Sequence, residues 1–388
     1  MTSSDDAAAF DALREQSIEI PSWGFGPSGT RFATHQVPGQ ARTLEERVAD
    51  AELVARYTGA RLRLSLHMPW DVPESGWTAL GARLRAGGIE PGTVNPNLFG
   101  EGEFRLGSIA NPDAAIRGRA TEHLLESVEA AKQLGVGDMW VWVPDGTNYP
   151  GQGHFRERRR WVRDALGEVY AALDPDQRLL IEYKLFEPAV YHMDVADWGQ
   201  ALLLCQQLGE RAQVAVDIGH HAHGVNIEHV AATLLEEGRL GSFDLNDRKY
   251  ADDDLMVGSI NPFALFLVFA EVADAMLDTG APEIAAAAAR VLHKIDIAFP
   301  IEDKIAAMIQ SVVATQTAWA KVFMIDRDAL AAARAAGDVV GAHVIMQDAF
   351  ETDVRGLLAE FRRERGGAEH PVADYRGGDD RAARRKER

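Results

Sequence analysis

A chain of 388 residues with 46% hydrophobic and 26% charged residues is ordinary for a globular protein with a large buried core, and an α/β barrel routinely uses this length as one domain with extensions. Its formal net charge of −19 argues against a general nucleic-acid binder, which needs a basic face, and no apolar run is long enough to suggest a membrane partner. The acidic opening MTSSDDAAAF lacks the order of a secretory signal and the lone Cys205 lies on an apolar helical pattern, so a cytoplasmic address is expected.

Strand-like runs alternate with helical patterns along the chain, the mark of βα units and a parallel sheet. The first strand, SIEIPSW, ends near Trp23, and the Gly-rich GFGPSGTRF after it is too irregular for a phosphate cradle. Thr43 and Glu46 predict a capping box, with Gly59 as the stop. The alternating RLRLSLHMPWD is the second strand and carries His67 to its end. A helix over 78–86 precedes a weaker third strand at 89–94, and Asn111-Pro112 predicts the start of a long helix to Gly135. MWVWV, RLLIEYK and VAVD supply strands four to six, the fifth delivering Glu182 and Lys184 to one side by alternation. A helix over 226–237, a seventh strand at 242–244, the apolar helix PFALFLVFAEVADAMLDTG and an eighth strand ending at Asp296 complete eight units, the count of a (β/α)₈ TIM barrel with additional C-terminal helices. Residues 1–300 are read as the barrel, 301–365 as an oligomer-embracing helical extension, and 366–388 as a charged tail, solvated and mobile or docked on a partner.

Active-site groups of such barrels sit at the C-terminal ends of strands. His67, Trp142, Glu182, Lys184, Asp217, His220, Asp244, Asp252, Asp254 and Asp296 all fall there, and buried carboxylates with one imidazole are ligand types for a divalent cation such as Mn²⁺. Each has a structural alternative: Asp252–Asp254 can form a solvated turn, His221 and His223 suit local hydrogen bonds, Lys184 can neutralise Glu182, and tryptophans are more often core. An EF-hand is excluded, since counting from Asp244 the sixth position is Lys249 and the twelfth Leu255.

The segments HMPWD at His67–Asp71, WVPDGTNYPGQ at Trp142–Gln152, EYKLFEP at Glu182–Pro188, DIGHH at Asp217–His221 and NDRKYADDDL at Asn246–Leu255 together resemble the broad-specificity L-rhamnose isomerase family of xylose-isomerase-like barrels. The resemblance covers roughly 21–312 and implies an aldose–ketose isomerase, L-rhamnose to L-rhamnulose first, working by a metal-assisted hydride shift. It implies two cations, Mn²⁺ with Mg²⁺ or Co²⁺ as alternatives. One would be held by Glu182, Asp217, Asp244 and Asp296, the other by Asp217, His220, Asp252 and Asp254. It also implies catalytic roles for His67, Lys184 and Asp296, substrate contacts from Trp23, Trp70, Phe99, Trp142 and Lys184, a small sugar as partner, and a homotetramer. Two positions depart from the family pattern: Asp244 stands where close relatives often have His, and Ile297-Ala298-Phe299-Pro300 replaces the Gln-Ser-His-Asn that usually follows the last Asp. A ketose 3-epimerase of the same barrel group, with one metal and two free carboxylates, and a degenerate sugar-binding barrel are the rival readings.

Overall fold

Eight short runs, most of them rich in Leu, Ile, Val and aromatic residues, are largely buried on both faces, as parallel strands under a helical shell must be. In the computed structural model, which describes residues 4–27 and 35–388, they are β1 (Ser17–Pro21), β2 (Arg61–Met68), β3 (Glu90–Pro96), β4 (Asp138–Trp142), β5 (Arg178–Glu182), β6 (Ala212–Asp217), β7 (Leu240–Leu245) and β8 (Leu292–Ile295). Each pairs in parallel with its sequence neighbours, and β1 closes the ring by pairing Ile18 with both Leu62 and His293. The barrel expected from the alternation is therefore present, with the extra C-terminal helices. Residues 28–32 of the Gly-rich stretch lie outside the described residues.

The helices follow the capping chemistry. Thr43 accepts from the Glu46 backbone N–H to start α2 (Leu44–Thr58), and Gly59 stops it in the left-handed region at φ +63°. The long α4 (Ala114–Leu134) differs from expectation: Asp113, not Asn111, caps it, while the Asn111 side chain accepts from the Asp113 N–H one turn earlier. Asp197, Asn226 and Asn261 cap α6 (Trp198–Leu208), α7 (Ile227–Glu236) and α8 (Pro262–Leu277), with α3 (Trp77–Ala86), α5 (Phe155–Ala172) and a short α9 (Pro282–Ala288) completing the shell. A two-residue antiparallel ribbon, Gly146–Thr147 with His192–Met193, ties the loop after β4 to that after β5.

Two regions were not foreseen in form. The N-terminal α1 (Ser4–Glu15) packs against α10 (Lys304–Val322), where Trp319 Nε1 donates to Ala12 O at 3.3 Å. Beyond α11 (Arg327–Ala336), α12 (Val339–Glu351) and α13 (Arg355–Glu364), the charged end folds into α14 (Pro371–Gly377) and α15 (Asp379–Glu387). It docks on α2: Arg384 Nε and Arg388 Nη1 donate to the two oxygens of Asp50, at 2.8 and 2.7 Å, and Asp50 is buried. The arginines expected to be solvated are there because a buried carboxylate needs matched cations. Among the described residues no helix is long and apolar enough to cross a membrane.

Candidate metal centre

Side chains alternate along a strand, so the residues that end β5, β6 and β7 converge on the barrel mouth. Glu182, Asp217 and Asp244 do so, and Asp296 follows β8 directly; all four had been singled out in the sequence. The structure brings Glu182, Asp217 and His220 together as one group and Asp217, Asp244 and Asp296 as a second, each with one ligand atom per residue within 4.8 Å of the others. Asp217 belongs to both.

His220 is oriented as a ligand would be. Its Nδ1 lies 2.9 Å from the Tyr183 carbonyl, which can only accept, and 3.2 Å from Glu182 Oε1, so Nδ1 carries a hydrogen and Nε2 is the nitrogen left to ligate. That nitrogen faces Asp217 Oδ2 and Asp252 Oδ1, each at 3.5 Å. A lone pair aimed at two carboxylates suits a cation among them. Gly219 keeps the space open: a Cβ there would fall 3.1 Å from both Asp217 Oδ1 and Asp252 Oδ1. Burial first, then the charges of Glu182, Asp254 and Asp296, push Asp217 well above the usual carboxylate range, and Asn246 opposes this by donating to both its oxygens. Burial likewise raises Glu182 to about 7, although Lys294 lowers it and Trp140 Nε1 donates to its Oε2 at 2.7 Å. Crowded buried carboxylates of this kind fit a divalent ion.

The loop between β7 and α8 divides its three aspartates. Asp253 caps its own turn, accepting from the Lys249 and Tyr250 N–H groups. Asp252 turns inward to His220 and to Lys184 Nζ at 2.6 Å, and Asp254, in the left-handed region at φ +46°, lines the pocket. Lys184 does not pair with Glu182; β5 ends at Glu182, and the ammonium lies between Glu187 at 2.5 Å and Asp252. Nε2 of His221 meets the Tyr183 hydroxyl at 2.6 Å, and that of His223 the Tyr250 carbonyl at 2.8 Å.

Facing these charges is an aromatic wall. His67 stands edge-on to Trp23 and Phe99, with ring centroids 5.3 and 6.1 Å apart, and 4.7 Å from Trp70, while Phe99 reaches Trp142 at 5.5 Å. Trp23, His67, Phe99 and Trp142 line the pocket with Glu182, His220, Asp254 and Asp296; Trp70 supports it from the rim. Burial pushes His67 down to about 3, so its ring is neutral. The turn after β2 is pinned by Asp71, which accepts from the His67 N–H at 2.8 Å, from Ser22, and from Arg47 of α2 at 2.5 Å. Trp23 Nε1 in turn donates to Asp296 Oδ1 at 2.9 Å. The Ile297-Ala298-Phe299 departure is a buried segment whose Phe299 carbonyl accepts from Lys304 at 2.8 Å.

Three residues escaped the sequence reading. Trp140 binds Glu182, Asn246 binds Asp217, and Lys294, buried on β8, holds Asp244 with Nζ 2.9 and 3.2 Å from its two oxygens. The signal for the last two was the strand period: Lys294 precedes Asp296, and Asn246 follows Asp244, by two residues.

The chain is 40% identical over 365 residues to a protein of Rhizobium meliloti named a "probable sugar isomerase", covering 92% of this chain and 83% of the relative. It is 28% identical over 269 residues to an L-rhamnose isomerase of Cronobacter sakazakii, covering 61% and 63%. A solved L-ribulose 3-epimerase shares the fold at a TM-score of 0.54 and 16% identity, covering 80% of this chain and 97% of that one. The model of one family, described as xylose isomerase-like TIM barrel, matches residues 51–289, and with eight strands closed as they are here the chain belongs to that family.

Proposed function

We propose that this protein is a divalent-cation-dependent aldose–ketose isomerase acting on a small free sugar, with L-rhamnose to L-rhamnulose the first reaction to test and Mn²⁺ the first ion, ahead of Mg²⁺ and Co²⁺. The observation that carries this reading is the Glu182–Asp217–His220 group, whose imidazole offers Nε2 toward carboxylates at the foot of an aromatic-walled pocket. These three residues would hold an ion, with Asp252 and Asp254 beside them and Asp244 and Asp296 on the far side of Asp217. A bound divalent cation supplies Lewis acidity to neighbouring hydroxyl and carbonyl oxygens.

The chain does the rest. Lys184, fixed by Glu187 and Asp252 and 5.3 Å from the Trp142 ring, presents positive charge where oxyanion character develops on the sugar. Neutral His67 exchanges a hydrogen bond with the sugar near its ring oxygen, and Asp296, oriented by Trp23, accepts a hydroxyl proton. Trp23, Trp70, Phe99 and Trp142 pack the apolar face of the sugar and exclude water. A cytoplasmic homotetramer is the proposed state, supported by exposed Val339 and Val340 on α12 and checked by mass in solution.

A ketose 3-epimerase is the second reading, favoured by the Lys294–Asp244 ion pair, which leaves fewer carboxylates for a second cation. Chelator-stripped protein should convert L-rhamnose to L-rhamnulose only when Mn²⁺ is restored, with D-allose, L-mannose and D-xylose assayed alongside. Inactivity on every aldose together with epimerisation of a ketose would replace the first reading by the second.

A further inference from the structure

We propose that Lys294 is the resident cation of the β7–β8 side of the centre, so that the chain binds one divalent ion rather than two. The inference rests on the reading that the carboxylate–imidazole cluster binds a divalent ion at all, and it holds for either reaction. A second ion beside Asp217 would be held by the second group, Asp217, Asp244 and Asp296, of which Asp244 is the member that Lys294 engages. Asp244 is fully buried, and Lys294 Nζ donates to its Oδ2 at 3.2 Å and stands 2.9 Å from Oδ1, which faces the ammonium as an ion pair and accepts no hydrogen bond among the described residues. A dication drawn to the same oxygens would stand beside a buried ammonium, where like charges repel strongly.

The ammonium has no exit. Lys294 is 1% exposed, its Nζ sits 3.6 Å above the Trp140 ring and 5.5 Å from that of Trp23, and its stem is fixed by β8 pairing to Asp244 and Glu19. The other lysine of the site behaves differently: Lys184 contacts Asp252 through Oδ2 at 2.6 Å, while Oδ1 lies 3.5 Å from His220 Nε2. Asp252 can therefore serve a lysine and an ion at once. Lys294 also lines the pocket, with Glu182 and Asp296, whereas Asp244 does not. It screens the carboxylate and offers the substrate a permanent positive charge in the place of a second metal.

The test is cation stoichiometry of the full-length protein, by metal analysis after equilibrium dialysis against Mn²⁺ and by electron paramagnetic resonance. Wild type is expected to hold one Mn²⁺ per chain with the resolved hyperfine pattern of an isolated ion. Lys294→Met should hold two, with the pattern broadened by coupling between neighbouring ions. Two ions in wild type, or one in a folded Lys294→Met protein, would overturn the proposal. No Mn²⁺ in any variant would overturn the cation reading beneath it, a distinct result. Should Lys294→Met not fold, the charge-neutral Lys294→Met/Asp244→Asn pair decides: Asp244 being no ligand, it should keep one Mn²⁺ with an affinity within about threefold of wild type. A loss of more than about tenfold there would show Asp244 to be a ligand and overturn the proposal.

Discussion

The two sides of the carboxylate cluster are built from the same residue types and end differently. On the β5–β6 side, Glu182, Asp217 and His220 meet around a space that Gly219 keeps clear, and Lys184 stands off on one oxygen of Asp252. On the β7–β8 side, Asp244 accepts from Lys294 through Oδ2 with the same ammonium 2.9 Å from Oδ1, and Asp296 is tied to Trp23. Acidic residues alone do not define a metal position; how the neighbouring cations are engaged does. A lysine on one oxygen of a carboxylate leaves the other able to ligate, and one lodged beside both puts its charge where a dication would stand.

The largest break in that contrast should come from the residue both sides share. Asp217→Asn should lower kcat/KM on the order of 10³-fold and abolish Mn²⁺ binding, measured by steady-state assay and metal analysis; a variant that keeps its ion and its turnover would remove Asp217 from the centre. Lys184→Met should cost about 10²-fold in kcat while leaving a bound ion in place, because Lys184 works through the substrate. An unchanged kcat would assign Lys184 to structure alone. Trp23→Phe, which removes the donor to Asp296 and keeps the wall, should cost about tenfold, seen in kcat more than in thermal stability.

A pH series sharpens the contrast without mutation. Glu182 titrates near 7 in the folded protein against an ordinary value of 4.5, so the folded state holds a proton that the unfolded chain releases. The stability this provides to the ion-free protein is present below about 4.5 and lost as pH rises through about 7. Melting temperatures of chelated protein should fall from pH 5 to pH 8, and added Mn²⁺ should raise them most at pH 8, since ligation requires the deprotonated carboxylate. A flat profile would place Glu182 outside the cluster. The smallest effect on turnover belongs to Asp50→Ala, far from the chemistry, which should cost about 3 kcal/mol of stability in denaturant melts by leaving Arg384 without its buried partner and Arg388 with Glu46 alone.

Much of this was legible in the sequence because a parallel barrel writes itself as apolar runs with polar ends. Those ends gave Glu182, Asp217, Asp244 and Asp296, and the Asp217-x-x-His220 spacing placed the imidazole past the β6 tip. Lys294 was missed because the reading stopped at the strand terminus, where the last carboxylate stands, and did not carry the two-residue period back into the strand. The alternative pairing of Lys184 with Glu182 fails for the opposite reason: β5 ends at Glu182, so the two-residue period does not reach Lys184, whose ammonium turns toward Glu187. The tail was unreadable as structure because its apolar anchors are few, chiefly Tyr375 against Tyr57, and the buried carboxylate its arginines meet, Asp50, lies more than 300 residues away in the chain.

Helix α2 carries two of the buried ion pairs described above on positions three residues apart. Arg47 holds Asp71, and with it the turn that presents His67 and Trp70; Asp50 holds the arginines of the chain end. Pocket wall and tail are therefore anchored on the same helix. Helix α15 buries no residue of its own, so a protease should remove residues 379–388 with α2 still folded, leaving Asp50 without its two arginines on the helix that also holds the pocket wall.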